Sequence, residues 1–121
     1  MVIKKGRKIS GGKYIKSRKK KSYELAGQKR VIKLGENKTK TKRVRGGHVK
    51  TFLLRGKIIN VRTEKGIKRS EIKNVLETPS NKFFARQNIL TRGTIVQTDL
   101  GKVKITNRPT QEGMINGILI E

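Results

Sequence analysis

Arg43, Arg45, His48 and Lys50 flank the dipeptide Gly46-Gly47 in the stretch RVRGGHVK. A two-residue Gly-Gly turn predicts a β-hairpin in which Arg45 faces His48, Val44 faces Val49 and Arg43 faces Lys50. The strand period of two then sets the four basic side chains on one side. Like charges directly opposite one another destabilise a strand pair. An anion between them turns the repulsion into a binding site. Arginine grips a phosphate with two parallel hydrogen bonds, lysine acts as a point charge, and glycine N–H groups point at the anion unobstructed.

A second basic set lies nearer the N-terminus. Lys4, Lys5, Arg7 and Lys8 come first, then Lys13, then the run Arg18, Lys19, Lys20 and Lys21. Ser10, Gly11, Gly12 and Ser17 separate them and let the backbone approach phosphate. Tyr14 and Tyr23 are placed to stack on unpaired bases or to pack on the folded domain. A third set, Lys82, Arg86, Gln87 and Asn88, follows in SNKFFARQN and can reach phosphates or base edges. Phe83 and Phe84 are adjacent, so both cannot point inward equally. One can be core while the other faces RNA; with three phenylalanines in the chain, supplying core is the favoured reading for them.

Composition sets the class of partner. The 121 residues carry a formal net charge of +24 and a pI of about 11.2. A compact chain so charged repels itself, and a polyanion in the working state relieves that. Nucleic acid is the first candidate and an anionic membrane surface the second. The charge is uneven: residues 1–50 hold 19 Lys plus Arg against two acids, and residues 51–121 hold 13 against six.

Other chemistries find little support. Without cysteine there is neither a disulfide nor a thiolate metal site, and one histidine cannot build an all-histidine site. No cofactor is expected. Neither GxxxxGK[ST] nor GxGxxG occurs. SGGK (Ser10 to Lys13) is only a fragment of a phosphate loop, with no strand and helix around it. The eight acids form no evident catalytic constellation, and Asp99 is explained by turn chemistry. His48 lacks the nucleophile and orienting carboxylate of a triad. No apolar run reaches the length of a membrane span. MVIKKGRKIS lacks the apolar core and cleavage site of a signal peptide, so a cytoplasmic protein is expected.

The elements that hold these groups read as all-β. Residues 1–28 show no apolar periodicity and too little apolar surface to offset their ordering entropy, so they form an extended basic arm that folds along a partner. Residues 29–121 hold short apolar runs bounded by Gly, Asn and Asp, the pattern of a small β-barrel-like domain. The expected strands are Val31 to Gly35, residues 41–45 and 48–54, Lys57 to Thr63, Ile72 to Glu77, Thr94 to Thr98, Lys102 to Thr106 and Met114 to Ile120. Glu64 to Gly66 and Asp99 to Gly101 read as three-residue turns, and the latter sets Ile95 opposite Ile105 and Gln97 opposite Val103. One short helix is expected, from Asn81 to about Gln87, capped by Ser80. The mostly apolar last strand belongs in the core or at barrel closure.

SGGK with the basic run after it, KKSYEL, KRVRGGH, ETPSNKFFARQNILTRG, TDLGKVKITNRPTQEG and INGILIE occur in this order from Ser10 onward. Together they resemble the "S-eight-e" family of archaeal and eukaryotic small-subunit ribosomal proteins, at archaeal length. The resemblance implies a structural constituent of the small ribosomal subunit, with a β-barrel-like domain on small-subunit rRNA and an N-terminal extension threaded into it. Arg108, in the NRPTQEG block, joins the candidate rRNA contacts. Other small-subunit ribosomal proteins are implied as partners; a membrane or a small-molecule substrate is not. Two rivals remain at this stage: a free architectural or chaperone-like protein on DNA or RNA, and an enzyme acting on RNA.

Overall fold

The computed structural model describes residues 6–14, 18–27 and 29–120. Lys4, Lys5 and Ser17 of the expected arm, and the boundary at residue 28, lie outside the described residues. The strands are β1 (Lys33–Leu34), β2 (Lys38–Arg43), β3 (Val49–Gly56), β4 (Ile58–Thr63), β5 (Gly66–Glu77), β6 (Ile95–Thr98), β7 (Gly101–Ile105) and β8 (Asn116–Ile120). Two helices interrupt them, α1 (Lys82–Arg86) and α2 (Pro109–Glu112). Strands β4 to β8 close into a barrel, and β1, β3 and β2 form a three-stranded sheet in that order.

Alternation explains the barrel. In β4, Ile59 and Val61 point inward and are fully buried while Arg62 is exposed; in β7, Val103 and Ile105 are buried between exposed Lys102 and Lys104. Val96, Ile72, Val75 and Ile115 complete the inner layer, with Leu53, Ile32 and Leu90 packed against it. Each such side chain contributes about 1.5–3 kcal/mol on burial. The core is wholly aliphatic, because a five-stranded barrel leaves room for little more than β-branched side chains. At Gly117 there is no room even for a methyl: a Cβ there would stand 2.5 Å from Val103 Cγ1 and 2.9 Å from the Lys104 carbonyl oxygen.

The barrel closes where β8 runs parallel to β4, with Asn60 opposite Asn116 and their side chains joined by a 3.1 Å hydrogen bond. Five strands that alternate in direction leave the first and last parallel, so β8, antiparallel to β7, closes the barrel on β4. The NRPTQEG block joins β7 to β8. Pro109 opens α2, and Gly113 at φ +74 ends it. Asn107 ties this connection together: its amide donates to Glu112 Oε2 (2.9 Å) and to the Met114 carbonyl (2.8 Å), and its Oδ1 accepts from the Asn116 N–H (3.0 Å).

The all-β expectation stands, with corrections. There are two short helices, not one. The α1 cap is Asn81, whose Oδ1 accepts the Phe83 N–H at 2.9 Å, not Ser80. Both three-residue turns are two-residue turns. Thr63 pairs with Gly66 and Thr98 with Gly101, so Val96 faces Val103, Ile95 faces Lys104 and Gln97 faces Lys102. The reason is the same in each. The glycine joins the strand at a φ of +126 or +124, and the threonine hydroxyl donates to its carbonyl at 2.8 or 2.9 Å. These two bonds fix T-x-x-G as a tight turn.

Candidate nucleic-acid interface

The hairpin of β2 and β3 is offset by one residue from the expected pairing. Lys42 faces Lys50, Arg43 faces Val49, and the Val44 N–H bonds to the His48 carbonyl at 2.8 Å. Arg45, Gly46 and Gly47 form a 3-10 turn between them, with both glycines near φ +80. Arg45 joins the two glycines in the loop, which therefore holds three residues between Val44 and His48. A slip of one residue moves a strand's side chains to the other face. Arg43 and Arg45 therefore do not share a side with Lys50.

A different cationic face replaces the expected one. Lys40 lies opposite Phe52 and Lys42 opposite Lys50, so these four share one side of the hairpin. Leu53, on the other side, enters the core. The Arg30 guanidinium lies 3.8 Å from the centre of the Phe52 ring, which is only 6% exposed. Arg30 thus covers the ring that Lys40 faces across the strands, and Lys42 and Lys50 follow on the same side. Across the sheet, Arg55 faces Lys33 on one strand and Lys38 on the other, adding two more like-charge pairs.

Neither β2 nor β3 carries an acid, since the sequence has none between Glu36 and Glu64. Two of the barrel's acids are used locally: Glu71 binds Lys57 at 2.6 Å and Asp99 binds Lys73 at 2.7 Å. The Glu71 carboxylate, with smaller help from Asp99 and Glu36, holds the Lys57 ammonium above the ordinary lysine range. Among the described residues, no ion pair involves β2 or β3.

The expected groups elsewhere fall as follows. Every described residue from 6 to 27 is exposed. Within that segment Arg7 pairs with Lys13 as an isolated antiparallel bridge, again like charge facing like. Ser10, Gly11 and Gly12 make the turn: the Lys8 N–H donates to the Gly12 carbonyl, and the Gly11 N–H to the Lys8 carbonyl, each at 2.9 Å. A second turn, Ser22–Glu24, is bound through Glu24, which accepts two hydrogen bonds from Arg18 (2.9 and 2.5 Å) and one from the Lys21 N–H. The Arg18 guanidinium, then the Lys21 N–H, hold the Glu24 carboxyl below its usual range. Arg18 is therefore engaged, while Lys19 and Lys20 stay exposed and the Lys21 ammonium sits 5.8 Å from the Tyr23 ring.

On α1, Lys82, Arg86 and Gln87 are exposed. Asn88, half-buried at φ +53, ends the helix, and its carbonyl accepts the Leu34 N–H at 2.9 Å. Ile89 bridges Lys33, so the α1 group sits beside β1, and β2 lies at the opposite edge of the sheet. Arg108 is exposed at the start of α2, which packs against β3.

Arg30, Lys38, Lys40 and Lys42 were not among the residues singled out from the sequence. The signal was there: KTKTKR, residues 38–43, alternates Lys with β-favouring Thr. Among the described residues, no group of three or more His, Asp or Glu side chains could hold a metal, and no helix is long and apolar enough to cross a membrane.

The family model for ribosomal protein S8e matches residues 3–120. The small ribosomal subunit protein eS8 of Nanoarchaeum equitans is 46% identical over 117 residues, covering 95% of this chain and 92% of that protein. Those of Staphylothermus marinus and Methanosarcina barkeri are 45% and 38% identical, over 95% of this chain and 92% and 94% of theirs. The chain belongs to the ribosomal protein S8e family.

Proposed function

We propose that the protein is a structural constituent of the small ribosomal subunit that binds and stabilises small-subunit rRNA. It acts by neutralising phosphates and by fitting the shape of the folded RNA, with sequence readout a minor part. Residues 1–28 serve as the arm laid along RNA, and residues 29–121 as the docked domain, with other small-subunit proteins as neighbours. Family membership, rather than any missing pocket, supports a non-enzymatic role. The observation that carries the RNA reading is the face made by Arg30, Lys40, Lys42 and Lys50, where Lys42 and Lys50 are set in register and neither strand carries an acid. A strand pair built that way is stabilised when an anion binds it.

The test is incorporation. Lys42→Glu with Lys50→Glu is compared with Lys65→Glu, a reversal in the two-residue turn between β4 and β5. Each variant competes with wild type for assembly, read by mass spectrometry across a sucrose gradient at moderately high salt. We expect wild type and Lys65→Glu at about one copy per small subunit and the double variant depleted severalfold. Equal incorporation of both variants removes the proposed face from the mechanism. Wild type that stays at the top of the gradient favours a free architectural protein instead.

A further inference from the structure

Three phenylalanines have three different fates. Phe52 lies beneath Arg30, and Phe84 is half-buried. Phe83 leaves 66% of its surface open to solvent. The core cluster is aliphatic and does not include Phe83.

Its support is firm at both ends. The Asn81 N–H donates to the Thr78 carbonyl at 3.1 Å, and the Asn81 side chain caps the Phe83 N–H. Beyond the helix, the Phe84 carbonyl accepts the Ile89 N–H at 3.0 Å, and Ile89 and Leu90 are buried. The ring therefore stands on a short helix pinned to the body of the domain. Arg86 is three residues on and falls on the same side of the helix; Lys82 precedes it. There is no acid on α1.

We propose that Phe83 is a stacking platform for one unpaired RNA base, with Arg86 and Lys82 engaging the phosphates beside it. This rests on the RNA-binding reading above and names the kind of nucleotide taken at this point. An open aromatic face between cations suits a base and its backbone, whereas an apolar patch on a protein partner would have to bury both charges. The site tolerates any base, because each presents a π-face.

The test uses small-subunit rRNA transcribed in vitro and full-length protein: wild type, Phe83→Tyr, Phe83→Leu, Phe83→Ala, and Lys42→Glu with Lys50→Glu. Affinity is measured at several salt concentrations and base reactivity by chemical probing. Stacking predicts that Tyr stays within about twofold of wild type, while Leu and Ala lose roughly 5- to 150-fold. The salt slope of the Ala variant stays that of wild type, because no charge is lost. One base protected by wild type and Tyr becomes reactive with Ala. If Leu binds as well as Phe, or Ala as well as wild type, while the lysine variant still weakens binding, stacking fails and the RNA reading survives. If the lysine variant also binds normally, the RNA reading fails with it. A Phe83→Ala defect seen only in whole subunits and absent on naked rRNA indicates a protein contact and overturns the proposal.

Discussion

The single substitution Lys42→Glu should stabilise the free protein and weaken its hold on RNA. Lys42 and Lys50 face each other across β2 and β3. Opposite charges at such positions contribute about 0.2–1 kcal/mol, and like charges cost a similar amount. Exchanging one for the other gains about 0.5–1 kcal/mol once exposure is allowed for. In a domain of this size that is roughly 2–8 °C in Tm. Lys40 lies two residues along the same strand, on the same face, and adds to the attraction. The gain is electrostatic, so it should shrink at 1 M salt, where the Debye length is about 3 Å. Thermal unfolding by circular dichroism at 50 mM and 1 M salt reads this directly. Affinity for small-subunit rRNA moves the other way. Losing one phosphate contact lowers the salt slope by about 1, so wild type loses about threefold more affinity than the variant between 50 and 200 mM salt. A Tm that falls or stays level at 50 mM salt, or a gain that persists at 1 M, refutes the claim that this pair stores repulsion.

Two further predictions concern the scaffold. Gly117→Ala places a methyl 2.5 Å from Val103 and should cost about 1–3 kcal/mol, whereas Gly27→Ala, with nothing within 4 Å, should leave Tm almost unchanged. Asn81→Ala removes the α1 cap and should cost about 1 kcal/mol locally, read as roughly fivefold faster amide exchange at Phe83, while Ser80→Ala leaves that rate nearly unchanged.

Much of the fold is legible because strand alternation is a local property. VRT in β4 and KVKI in β7 each carry the period that buries one face. Registers are less legible, since one bond in a turn decides them. The Thr63 and Thr98 hydroxyls bond to the glycine carbonyls and shorten two loops that end in Gly. At the Gly46-Gly47 turn the shift runs the other way. Each slip leaves the strands in place but changes which side chains meet, and for the hairpin that determines which cations form a surface. Arg30 was invisible for another reason. Its partner Phe52 is 22 positions away in sequence, and no local pattern predicts that a charged side chain covers a ring. Phe83 shows the reverse case: the sequence pairs it with Phe84 and favours core, but on α1 Phe84 is the half-buried one and Phe83 faces outward.

Barrel closure also constrains when folding can finish. Strand β4 finds its second neighbour only in β8, with Asn60 meeting Asn116 across 56 intervening sequence steps. During synthesis, β4 to β7 can form a meander as they emerge, since each pairs with the next. Until β8 arrives, β4 and β7 both present open edges, in a chain whose first half is already strongly cationic. Contacts so distant in sequence form slowly. A nascent chain of this protein therefore passes through a stage in which its most basic segments are complete and its barrel is still open.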